Sequence, residues 1–148
     1  MSLSLEETVL ENLGYGYLCS ESVIKGVAKH MGIAWDRLPA IATGLGGGFG
    51  GMGNTCGALT GAVLALGLSH GRNMPDQDPF VCGALVQKLV EGFKDRFRSI
   101  DCADILGVDI RTEEGRTHSM KQGLLNLPCK DCCVFVARYL AENISESR

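Results

Sequence analysis

The sequence predicts an all-α fold, an irregular single-domain helical bundle that carries a glycine-rich loop. Apolar residues recur at a helical spacing of three to four positions through most of the chain. Only the short segment Val108-Asp109-Ile110 resembles a strand. No linker, low-complexity segment or internal repeat divides residues 1–148, so we expect one domain.

Three helices are expected in the first half of the chain. The helical face of residues 21–31 stops at Gly32, a residue type that favours helix ends. Residues 35–42 are expected to form a short helix that leads into the glycine-rich loop. Residues 56–68 predict a buried helix with many small side chains, which stops near Gly71.

The second half predicts four more helices. An apolar stripe over residues 81–97 indicates an amphipathic helix, and residues 102–106 form a short helix closed by Gly107. Residues 113–122 are expected to be helical and exposed. Residues 128–143 predict a terminal helix, with proline in its first turn.

Composition and charge exclude several function classes. The chain is 45% hydrophobic and 21% charged, which is typical of a globular protein that buries a core without disulfides or metals. Its net charge of −3 gives no basic patch, so nucleic acid is not an expected partner. The N-terminus does not resemble a signal peptide, and the apolar run 56–68 is shorter than the roughly 20 residues of a spanning helix. We therefore expect no membrane insertion and a cytoplasmic location.

Seven cysteines are many for a chain in a reducing compartment, where metal binding, catalysis or redox sensing is more common than a disulfide framework. Only Cys82, inside an apolar run, is expected to be a core residue. A helix start carries free N–H groups and a partial positive charge, which lower the pKa of a thiol and favour the thiolate. The other six cysteines stand at four predicted helix starts: Cys19, Cys56, Cys102, and Cys129 with Cys132 and Cys133.

The short motifs leave the chemistry of these thiols open. CKDCC, residues 129–133, contains one CxxC, whose two thiolates can hold a metal ion or cycle as a disulfide. The second pair of a zinc ribbon, the βαβ context of thioredoxin, the CxxCH of c-type haem and ferredoxin spacing do not occur.

The glycine-rich loop does not favour nucleotide binding. Residues 48–53 match GxGxxG, but no strand precedes them. The glycines and the small-residue face of the following helix instead let other segments approach Cys56 closely. Gly53 and Gly57, which flank this thiol, are the backbone positions expected to contact a cofactor.

The segment NTCGALTG, residues 54–61, carries a CGAxxG element, and the chain resembles the C_GCAxxG_C_C family of redox-active proteins over nearly its whole length. The fourth motif cysteine then lies at the last helix start, where the spacing to Val136 favours Cys132 over Cys129 and Cys133. The resemblance implies a small bacterial protein with a redox or metal-related role, often encoded near transporters. By the same resemblance, Cys19, Cys56 and Cys102 correspond to the first three cysteines of the family motif.

Three functions are compatible with these features. In the first, Cys19, Cys56, Cys102 and Cys132 converge, and two of them cycle between dithiol and disulfide with a redox partner protein. In the second, the same thiols and Cys129 bind zinc or an iron–sulfur cluster. In the third, the chain is a non-enzymatic helical module that binds a transporter-associated protein. The sequence leaves the oligomeric state open, including a homo-oligomer.

Overall fold

A computed structural model describes residues 3–123 and 126–144 of the chain. Within these ranges the protein is helical and contains no strand, which confirms the all-α prediction. A 3₁₀ helix spans Ala40–Leu45. The α-helices are α1 (Leu5–Tyr15), α2 (Cys19–His30), α3 (Gly57–His70), α4 (Phe80–Phe97), α5 (Cys102–Leu106), α6 (Glu113–Gln122) and α7 (Cys129–Asn143).

The core lies where α1, α2, α3 and α7 pack together. The small-residue face predicted for α3 is confirmed: a Cβ on Gly61 would lie only 2.8 Å from the carbonyl oxygen of Ser20. The backbones of α2 and α3 therefore approach closely. On the other side, α4 packs against α3 and α7 and fully buries Leu89 and Phe93.

The most apolar helix, α3, has 14 residues. It packs against α2, α4 and α7, and only part of its last turns is exposed. Neither α3 nor any other helix in the two described ranges is long and apolar enough to cross a membrane.

Local sequence signals explain where several helices begin and end. At the start of α1, the Ser4 hydroxyl accepts the Glu7 N–H at 3.1 Å, and the Glu7 carboxylate accepts the Ser4 N–H at 2.8 Å. The Thr112 hydroxyl accepts an N–H of the first turn of α6 at 2.9 Å. Gly107 and Gly123 follow α5 and α6 with positive φ, a conformation that suits glycine.

The glycine-rich loop is an ordered, internally hydrogen-bonded element. Residues 47–51 and Gly53 all have positive φ, Phe49 among them. The N–H groups of Gly53 and Asn54 bond back to carbonyl groups at the start of the loop, each at 3.0 Å. A Cβ on Gly48 would overlap the backbone of Asn54, so this turn requires glycine. The loop leads directly to the start of α3.

Several predictions about individual elements were wrong. Residues 108–110 are not a strand but an irregular connection, in which the Asp109 carbonyl accepts both the N–H and the hydroxyl of Thr112. Residues 36–39 form turns before the 3₁₀ helix, because the residue before Pro39 disfavours the α conformation. Cys82 is half-buried at the edge of the core.

Candidate thiol site

A short backbone pairing holds Cys56 beside Cys102. The Cys56 N–H donates to the Ile100 carbonyl at 2.7 Å, and the Cys102 N–H donates to the Asn54 carbonyl at 2.6 Å. Between these two bonds lies an isolated antiparallel bridge. The starts of α3 and α5 are therefore neighbours.

Gly57 allows Cys19, at the start of α2, to reach the start of α3. A Cβ on Gly57 would lie 2.8 Å from the Cys19 sulfur. Since Gly57 follows Cys56 directly, the sulfur of Cys19 lies next to the Cys56 backbone. The start of α2 is fixed by the buried Ser20, whose hydroxyl donates to the Ala42 carbonyl at 2.8 Å.

The first turns of α7 supply the remaining thiols of the site. Cys129 begins the helix, and Cys132 and Cys133 follow one turn later. The Cys132 thiol hydrogen-bonds with Cys56, and the Cys129 thiol hydrogen-bonds with Cys19. Because residues three apart share a helix face, α7 presents one thiol to each of the two other helix starts.

Access to these thiols decreases from Cys129 inward. Cys129 is half-buried, whereas Cys19 and Cys56 are 9% and 3% exposed and both Cys132 and Cys133 are fully buried. Burial raises the pKa of the Cys133 thiol well above its ordinary value. All seven cysteines are free thiols, so the site is a reduced, largely enclosed cluster.

Cys56 is the thiol whose ionised form the site stabilises. The hydrogen bond from Cys132 is the main cause that lowers the pKa of Cys56 from 9.0 to about 7, and burial opposes it. The N–H groups of Ala58 and Leu59 face the sulfur from the first turn of α3. Their effect on the pKa is smaller, and they do not form a regular capping bond. Near neutral pH, Cys56 is therefore about half thiolate.

The thiols around Cys56 keep their protons. Burial, followed by repulsion from Cys56, raises the pKa of Cys102 to about 12. Hydrogen bonds to the facing sulfurs, followed by burial, raise the pKa values of Cys129 and Cys132. The cluster therefore favours a thiolate at Cys56, with Cys102, Cys129 and Cys132 protonated.

The structure places the cysteines that the sequence singled out in one region. Cys102 interacts electrostatically with Cys19 and Cys56, and the α7 thiols contact the same two residues. The specific pairing of thiols was not predicted, because the three-residue spacing on α7 indicates only that Cys129 and Cys132 share a helix face. Both glycines expected near a cofactor contact protein: a Cβ on Gly53 would lie 3.0 Å from the Ala103 Cβ, and Gly57 faces Cys19.

The thiols do not form a ready-made metal site. Thiolate sulfur is a suitable ligand for zinc and for iron–sulfur clusters. In the part of the chain that the structure describes, however, no three or more His, Cys, Asp or Glu side chains are arranged to hold a metal ion. The metal hypothesis stays a prediction, and we derive no chemistry through a metal.

A family model described as "Putative redox-active protein (C_GCAxxG_C_C)" matches residues 17–143. The chain belongs to the C_GCAxxG_C_C family. The matched range contains every thiol of the cluster and the starts of α2, α3, α5 and α7. Comparisons with curated proteins and with solved structures found no match. For this C_GCAxxG_C_C protein, the reaction must therefore be argued from the site itself.

Proposed function

We propose that this protein performs thiol–disulfide exchange and that Cys56 and Cys132 are its redox pair. What supports the proposal is the interaction of Cys132 with Cys56, which lowers the pKa of Cys56 where α7 packs against α3. A dithiol that cycles needs two sulfurs within bonding reach, one of which ionises near neutral pH. Cys56 has the lowered pKa, and Cys132 is the neighbour that donates to it.

The same hydrogen bond assigns the order of the two thiols. The Cys56 thiolate attacks a disulfide that is brought to it inside the cluster, forms a mixed disulfide and releases one thiolate. Cys56 then carries no charge, so the interaction that raised the pKa of Cys132 is lost. Cys132 can now ionise and attack the Cys56 sulfur, which closes the disulfide between them and releases the second thiol. Cys56 is therefore the attacking thiol, and Cys132 is the resolving thiol.

The proposal extends to partner and location. Exchange requires a partner that supplies a disulfide or accepts one, such as a redox protein. A location in the cytoplasm suits a chain with seven cysteines that exchanges disulfides, because thiols are kept reduced there. Cys19 and Cys102 line the pocket of the redox pair, and we assign neither of them to the pair itself.

Disulfide mapping in glutathione redox buffers tests this function. We expect a reversible disulfide between Cys56 and Cys132, detected by mass spectrometry after acid quenching and alkylation. Cys56→Ser and Cys132→Ser each abolish it, whereas the matched control Cys82→Ser, which removes a thiol outside the cluster, retains it. Failure of the wild-type protein to form this disulfide at any buffer ratio would refute the proposal. Stoichiometric zinc or iron in anaerobically purified protein would favour the metal hypothesis instead.

A further inference from the structure

The proposed redox pair has no direct access to a partner. The Cys56 and Cys132 residues are 3% and 0% exposed. For exchange, a sulfur of the partner's disulfide must contact the attacking thiolate. Because Cys56 and Cys132 are enclosed, a partner protein cannot reach their sulfurs in this conformation. The pair therefore needs either a large opening of the helices or another thiol that transfers the disulfide to it.

A second pair of contacting thiols lies closer to the surface. Cys129 is half-buried, and its thiol hydrogen-bonds with the Cys19 sulfur. Cys19 in turn lies near the inner pair, because the missing side chain of Gly57 leaves space for its sulfur beside the residue that follows Cys56. On α7, Cys129 and Cys132 stand one turn apart. The four thiols thus lie in a sequence of falling exposure, from the surface to the core.

We propose that Cys19 and Cys129 form an outer dithiol that exchanges with an external disulfide and passes the disulfide inward to Cys56 and Cys132. This inference rests on the proposed function of the inner pair. Cys102 is a weaker candidate for the same role. It is 7% exposed and interacts with Cys19 and Cys56 only through their charges.

In the first step, the outer pair reduces an external disulfide R–S–S–R. Cys19 and Cys129 lose two electrons and two protons, a bond forms between their sulfurs, and two R–SH molecules leave. The co-reactant is therefore a low-molecular-weight or protein disulfide, and the reverse reaction consumes a dithiol.

In the second step, the disulfide moves inward. The Cys56 thiolate attacks the Cys19 sulfur, the bond between Cys19 and Cys129 breaks, and Cys129 leaves as a thiolate that takes the proton of Cys132. Cys132 then attacks the Cys56 sulfur and displaces Cys19 as a thiolate, which water protonates. Two electrons have moved from the inner to the outer pair, and each broken sulfur–sulfur bond has been replaced by another.

A quenched time course with oxidised glutathione tests this order. Reduced full-length protein is mixed with oxidised glutathione, quenched with acid at intervals, alkylated and mapped by mass spectrometry. In the wild type, we expect the disulfide between Cys19 and Cys129 to appear first and the disulfide between Cys56 and Cys132 to replace it. In Cys129→Ser, the inner disulfide should form at least tenfold more slowly, while Cys82→Ser should match the wild type. Circular dichroism of each variant verifies its helical content.

Each outcome of this experiment either supports or overturns the proposed relay. The order in which the two disulfides appear is measured in the wild-type protein, so it does not depend on the folding of Cys129→Ser. If the inner disulfide forms before the outer one, the relay is overturned. An inner disulfide that forms in Cys129→Ser at the wild-type rate also overturns the relay and leaves the proposed function intact. If the wild type forms only the outer disulfide, both the transfer and the proposed function of the inner pair fail.

Discussion

Removal of the Cys132 thiol is the most direct test of the electrostatics of the site. The hydrogen bond from Cys132 is the largest cause of the lowered pKa of Cys56, and the α3 amides contribute less. In Cys132→Ala, this donor is lost while burial, which opposes ionisation, remains. Cys132→Ser is the matched control, because its hydroxyl can still donate to the Cys56 sulfur.

The expected size of the effect follows from the two pKa values. In the wild type, the pKa of Cys56 is about 7 instead of 9.0, and about half of the thiol is ionised at neutral pH. A return toward 9.0 in Cys132→Ala leaves about one thiol in a hundred ionised, roughly a 50-fold loss of thiolate. The two units correspond to about 2.7 kcal/mol of differential stabilisation of the thiolate.

The pH dependence of Cys56 alkylation by iodoacetamide measures this change. The thiolate is the reactive form, so the rate rises with pH through the pKa of Cys56. Because Cys56 is only 3% exposed, the midpoint of the profile and not the absolute rate is compared between variants. We expect a midpoint near 7 in the wild type and in Cys132→Ser, and a shift toward 9.0 in Cys132→Ala. An unchanged midpoint in Cys132→Ala would show that Cys132 does not stabilise the thiolate.

Three further predictions concern stability, measured by urea denaturation. Gly57→Ala places a methyl group 2.8 Å from a sulfur and should lower the free energy of unfolding by about 1–3 kcal/mol. Gly67→Ala, in open space on the same helix, should raise it by up to about 1 kcal/mol, and equal effects would contradict the contact. Ser20→Ala removes a buried hydrogen bond and should cost about 1–3 kcal/mol, whereas an unchanged stability would mean that the bond contributes nothing. Folding raises the pKa of Cys102 from 9.0 to about 12. The protonated thiol therefore adds to the free energy of unfolding below pH 9.0, and this contribution is lost as the pH rises toward 12. Wild type and Cys102→Ala should therefore converge in stability over this range, and a constant difference would contradict the raised pKa.

The bounds of helices could be predicted from the sequence where capping residues or a terminal glycine mark their ends. α5 and α6 have the predicted bounds, because Gly107 closes one and Thr112 caps the other. α1 was not predicted as an element, although the Ser4 and Glu7 capping box is visible in the sequence. The segment 108–110 looked like a strand because its β-branched residues alternate, but no second strand lies beside it in the described residues.

The convergence of the thiols was predictable, and their pairing was not. Six cysteines at four predicted helix starts indicated that thiols from distant segments converge in one polarised region. Which sulfur meets which depends on contacts between distant segments. The hydrogen bond from the Cys56 N–H to the Ile100 carbonyl and the space left by Gly57 are examples. Neither is encoded by a local pattern, so spacing along the chain alone could not distinguish the partner of Cys56 from the partner of Cys19.

The electrostatics of the cluster disfavour more than one thiolate at a time. A thiolate at Cys56 raises the pKa values of the neighbouring thiols, through repulsion at Cys102 and through the hydrogen bond at Cys132. Cys132 therefore becomes a nucleophile only after the charge on Cys56 has been consumed in a disulfide. Because Cys56, Cys102 and Cys132 are buried, this coupling is weakly screened. In a buried cluster, the thiols thus react in a fixed sequence, which separate surface cysteines do not have.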